Sequence, residues 1–119
     1  MIADAPLDPA AEYDRLRLVA IVESSDDAIV SKDLDGTIRS WNPAAERIFG
    51  YTAAEMVGGS IFQLIPPELH DEEHSLLDRI RRGEHVAHYE TERVRKDLRR
   101  IRISLTLSPL YDSRGRLIG

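Results

Sequence analysis

The sequence predicts an α+β domain: an antiparallel five-stranded sheet, short helices over one face, and a flanking helix at the N-terminus. Three observations lead there. Asp35-Gly36 sits between two short runs rich in β-branched and aromatic residues, the pattern of a hairpin. Between Pro43 and Arg82 the apolar residues recur at helical spacing, cut into short pieces by glycine and proline. From His85 the period falls to two and stays there to Ser108. Strands joined by tight turns pair antiparallel, and helices gathered between two such groups must cover one face of the sheet.

Met1 to Leu7 has no periodic pattern and reads as a loose tail. Residues 1–17 are assigned to this tail and the start of the flanking helix, and residues 18–119 to the domain proper. Asp8 is placed as N-cap and Pro9 at the first helical position, opening a helix to about Glu23. Leu18-Val19-Ala20-Ile21-Val22 is apolar nearly all round. Either this helix is deeply packed in the core, or one stripe covers its own sheet and another is left without a partner.

Ala28-Ile29-Val30 suits a first strand, and Thr37 to Trp41 returns as the second. Asp35 and Gly36 are expected to supply two positive φ values to the turn between them. Asn42 and Pro43 then cap and start a brief helix that Gly50 stops. Thr52-Ala53-Ala54-Glu55 is a capping box, with Tyr51 and Met56 placed as a hydrophobic staple. Gly58-Gly59 closes that helix, and Ser60 caps one turn from Ile61 to Ile65. After Pro66-Pro67 a longer helix is expected from Glu68 to Arg82, stopped by Gly83. Its acidic start and basic end suit the helix dipole, and Leu69, Leu76, Leu77 and Ile80 share a face.

His85 to Arg95 forms a long strand, Lys96-Asp97-Leu98 a turn, and Arg100 to Ser108 the cleanest alternating segment of the chain. The Glu and Arg residues from Glu90 to Arg95 are expected on a solvated or partner-facing sheet face. Asp112-Ser113-Arg114-Gly115 turns into Arg116 to Gly119, the beginning of a fifth strand.

At 119 residues the chain has the size of one domain. Its net charge of -5 argues against a nucleic-acid partner. It contains no cysteine, which removes disulfides, thiol catalysis and cysteine-ligated zinc. No apolar run approaches the ~20 residues of a membrane span, so a cytoplasmic compartment without direct membrane contact is expected. Catalysis finds little support: there is no nucleophile elbow, P-loop or dinucleotide glycine fingerprint. His70 and His74 are spaced to share a helix face, but two ligands with no third make no metal site.

From Asp33 to Gly58 the chain reads D-x-x-G-x-I-x-x-W-N-x-A-A-E-x-x-F-G-Y-x-x-x-E-M-x-G. This ordered series, continued in Phe62 to Pro67 and in the two long strands, resembles the PAS family of sensory domains of bacterial signal transduction. The resemblance covers Leu18 to the C-terminus. It implies a sensory module that is not itself an enzyme. Such a module pairs with a second copy and relays a change to an output domain beyond its C-terminus, commonly a histidine kinase or a cyclic-dinucleotide enzyme. Under it the unpartnered stripe of the first helix becomes a dimer contact, with Leu16, Val19, Ala20 and Val22 as candidates. A ligand-free homodimerisation scaffold is the alternative.

A space between helices and sheet is the natural ligand pocket. Facing patterns assign Ile29, Ile48, Met56, Leu64, Leu77, Ile103 and Leu105 to its lining, with His70 and Tyr89 as polar contacts. No cofactor is the leading expectation. Haem, which some PAS domains hold through a histidine of this helix, would fall near His74, among carboxylates unsuited to its propionates. Flavin held without a cysteine would fall near Trp41 and Asn42. The sequence departs from the family at Leu98, where glycine is usual; leucine there argues for a longer turn or one of another type. The chain also ends as the fifth strand begins, so that strand is cut short or completed by another molecule's segment.

Overall fold

The fold is that of a computed structural model describing residues 8–119; the expected loose tail, Met1 to Leu7, lies outside the described residues. Helix α1 spans Pro9–Ser24, with the Asp8 side chain accepting a hydrogen bond from the Ala10 backbone N–H at 3.0 Å. Strands β1 (Val30–Lys32) and β2 (Ile38–Trp41) form the first hairpin. Helices α2 (Pro43–Phe49) and α3 (Ala53–Met56), then 3-10 turns at Ile61–Leu64 and Pro67–Leu69, lead to α4 (His70–Arg81). Strands β3 (Val86–Val94) and β4 (Arg100–Leu107) form the second hairpin.

The core lies under the first hairpin. Ile38 and Trp41 of β2 meet Ala45 and Phe49 of α2, Met56 of α3 and Leu64 of the 3-10 turn, all buried. The local signals act as the sequence expects. Asn42 caps α2, Gly50 at φ 83 ends it, and Thr52 and Glu55 complete the capping box. A Lys96 ammonium 2.6 Å from Glu55 ties that box to the β3–β4 turn. Chiefly through Lys96, and then the Thr52 backbone N–H, the Glu55 carboxyl titrates at about 2. A carboxyl depressed on folding adds stability above its unfolded pKa, and that stability is lost as pH falls through the folded value. We therefore expect this contribution to fade between about pH 4.3 and the folded pKa of about 2. In Lys96→Ala the Glu55 carboxyl carbon, followed by NMR, should titrate at higher pH.

Several expectations are corrected. The described residues hold four strands in two separate two-stranded antiparallel sheets, not one sheet of five. Arg116 to Gly119 does turn back, through the Tyr111–Leu117 bridge and a Leu110 N–H donated to the Gly119 carbonyl, but too few residues pair to make a strand. Its end lies against β1, where a Cβ on Gly119 would collide with the Lys32 carbonyl oxygen. In the first hairpin only Gly36 has positive φ, at 90°, and Asp35 does not. The turn closes with the Gly36 N–H on the Asp33 carbonyl, so one left-handed residue suffices. The first strand begins at Val30 rather than Ala28, and the helix expected from Glu68 is a 3-10 turn followed by α4 from His70.

Helix α1 is not packed into a core: none of its residues is buried, and Leu16 and Val19 are 58% and 52% exposed. Leu98 does adopt positive φ, at 69°, in a turn closed by its N–H on the Arg95 carbonyl. Its side chain is 82% exposed, so burial adds nothing to the local clash of Cβ with the backbone. The backbone strain remains, so Leu98→Gly should stabilise the fold by about 1 kcal/mol, read as a raised urea midpoint. Arg93 is buried rather than solvated, 4% exposed, whereas Glu90 of the same strand faces water.

Candidate functional site

A cleft of about 670 Å³ lies between the two hairpins. One wall is the β1 segment from Asp27 to Lys32, and the other is β4, whose Ile101, Ile103, Leu105 and Leu107 all point inward. Ile48, Phe49, Ile61 and Leu64 form its floor. Its volume falls within the roughly 300–1,000 Å³ of small-molecule sites, with α2 and the first 3-10 turn contributing to its lining together with the strands.

Both hairpins are fastened to the helical layer. The β3–β4 turn caps the end of α2: the Lys96 N–H donates to the Phe49 carbonyl at 2.9 Å and the Arg95 guanidinium to the Ile48 carbonyl at 2.7 Å. At the other side Glu73 of α4, 1% exposed, accepts from Lys32 Nζ of β1 at 2.6 Å and Arg93 Nη2 of β3 at 3.4 Å. Both cations also line the cleft. Burial holds the Arg93 guanidinium below the ordinary arginine range, and Glu73 and then Glu72 oppose that shift. Glu72 accepts from Thr91 Oγ1, and burial, then the Glu72 charge, raises the Tyr89 phenol. A layer of charge thus lies between α4 and the inward face of β3.

The structure brings together some of the residues read from sequence and separates others. Ile29, Ile48, Leu64, Ile103 and Leu105 line the cleft. Met56 and Leu77 lie in the interior, 0% and 3% exposed, and Tyr89 faces α4. His70 bonds through Nε2 to the Ile65 carbonyl at 3.0 Å, edge-on to Phe62, and the exposed His74 stacks on the same ring. Trp41 donates its indole N–H to the Tyr51 carbonyl at 3.0 Å. Asn42, 2% exposed, uses its amide fully: Oδ1 accepts from the Ile29 and Ala45 N–H groups, and Nδ2 donates to the Val22 and Asp27 carbonyls. Among the described residues no cluster of three or more His, Asp or Glu side chains could hold a metal. Lys32, Glu73, Arg93 and His88 were not among the sequence candidates. His88 sits at a bulge in β3 with φ 54° and borders the cleft.

A family model described as the PAS fold matches residues 16–119. The chain belongs to the PAS family. It is 35% identical over 101 residues to the signal transduction histidine-protein kinase AtoS of Escherichia coli K12, an alignment covering 83% of this chain and 16% of that protein. The PAS domain of a Colwellia psychrerythraea protein superposes with a TM-score of 0.81 at 22% identity, over 89% of this chain and 90% of that one. The PAS domain of an HTR-like protein from Haloarcula marismortui superposes at 0.75 with 25% identity, over 92% and 88%. As a PAS domain the chain is a sensory module rather than a catalytic one, with the α+β fold the sequence implies. No helix among the described residues is long and apolar enough to cross a membrane.

Proposed function

We propose that this PAS domain pairs with a second copy through α1 and relays a change at its cleft to an output domain, a histidine kinase being the type its similarity to AtoS favours. The observation that carries the reading is α1 itself. Leu16, Leu18, Val19 and Ile21 are 52–60% exposed on a helix with no buried residue, an apolar surface that its own domain leaves bare. A second helix of the same kind would cover it, and a shift in that pairing would change the geometry passed along the dimer. Of the sequence candidates, Leu16, Val19 and Ala20 are exposed, while Val22 is half-buried.

Sedimentation equilibrium of the wild type against Leu16→Asp/Val19→Asp tests this. A dimer weakened about tenfold or more supports the reading; two monomeric, or two equally dimeric, proteins would overturn it. A second reading, a ligand-free dimerisation scaffold, is favoured by the close packing at Met56, Leu76 and Leu77, which are at most 3% exposed. Native mass spectrometry separates the two: a retained small molecule favours the sensor, and its absence across growth conditions the scaffold.

A further inference from the structure

One side chain joins three parts of the molecule, the end of α1, the segment from Asp27 to Ile29 and the start of α2. The Asn42 amide donates to the Val22 carbonyl at 3.0 Å, in the last turn of α1. It donates to the Asp27 carbonyl at 2.9 Å and accepts from the Ile29 N–H at 2.9 Å, both in the cleft wall. It also caps α2 by accepting from the Ala45 N–H at 3.0 Å. Among the described residues, no other hydrogen bond or ion pair links α1 to the rest of the domain. With no buried side chain of its own, α1 is posed by that bond, the half-buried Val22 beside it and its contact with α2.

We propose that Asn42 is a positioning residue that couples the cleft to the pose of α1. The inference deepens the relay reading above and takes its meaning for signalling from it. An occupant of the cleft bears on Asp27 to Ile29, whose backbone is held by the same amide that grips Val22. An amide has two donors and one acceptor oxygen, and all are engaged here. A displacement of either cleft-wall contact therefore reorients the group that holds α1. Aspartate would keep the capping oxygen while removing both donors and setting a negative charge against two carbonyls.

The test uses the absence of cysteine in the chain. Arg15→Cys on α1 and Ala54→Cys on α3, both exposed, carry spin labels. Doubly labelled protein is diluted into excess unlabelled protein, so that pulsed electron resonance reads distances within one chain. The background with Asn42 should give one narrow distribution, and Asn42→Asp one about twofold broader or more. Asn42→Ser, a neutral cap without the two amide donors, should broaden it likewise and carries the test if the aspartate variant does not fold. Trp41 emission reports the folded core in every sample. A folded variant of either kind whose distribution stays as narrow as wild type overturns the proposal. Sedimentation of the same variants reads dimerisation separately, so loss of the clasp and failure of the dimer reading remain distinguishable.

Discussion

Glu73→Ala is expected to destabilise the domain by about 3–5 kcal/mol, the range for removing one partner of a buried ion pair. Glu73 is the carboxylate that Lys32 and Arg93 share, and Arg93 is only 4% exposed. Without it a guanidinium is left in the interior beside a second cation, with Glu72 as the remaining nearby anion. The cost is therefore mostly that of a charge buried without its counterion rather than that of a lost attraction. Two further variants separate these. Glu73→Gln keeps acceptor capacity and should cost less than alanine, while Glu73→Met/Arg93→Met, which removes both charges, should recover most of the loss. Urea denaturation of the set checks the order. If the alanine variant loses less than the double methionine variant, the ionic account of this layer fails.

Trp41→Ala carries the other large effect, again about 3–5 kcal/mol, the cost of emptying a large aromatic site in a core. Trp41 is 6% exposed and lies tilted against Phe49 with ring centroids 5.5 Å apart. Its indole also satisfies the Tyr51 carbonyl, in the link between α2 and the α3 capping box. Trp41→Phe keeps much of the packing and removes that donor, so it should cost far less, with about 1 kcal/mol from the hydrogen bond. Thermal unfolding followed by circular dichroism compares the two without relying on tryptophan emission. Equal losses would mean that the hydrogen bond, and not the ring, dominates at this position.

Most of the fold was legible because its signals are local. Asn42-Pro43, Gly50, Thr52 with Glu55, Ser60 and the alternation from Arg100 to Leu107 each act over a few residues, and each appears where the pattern puts it. The candidate site was only half legible, since its walls come from opposite ends of the chain. Facing patterns found Ile29, Ile48, Leu64, Ile103 and Leu105 in the cleft but also collected Met56 and Leu77, which point inward without reaching it. The missed ionic layer had a signal. Glu73 lies three residues before Leu76 and seven before Ile80, squarely on the apolar stripe of α4, and Arg93 lies in step with the inward-facing Thr91. A charge on a core stripe must be paired, and a search for its partner would have reached Lys32 and Arg93. The Leu98 turn was misread because the cost of one left-handed leucine was taken as prohibitive, whereas the turn carries it.

The division of the strands into two hairpins has a mechanical consequence. Each ladder is closed by a short turn and shares no backbone hydrogen bond with the other, so the seam between them is held by side chains and by the helices that span it. A continuous ladder resists spreading because every residue along it would have to give up a bond at once. Lys32, Glu73 and Arg93 supply a side-chain tie across this seam, joining β1, α4 and β3.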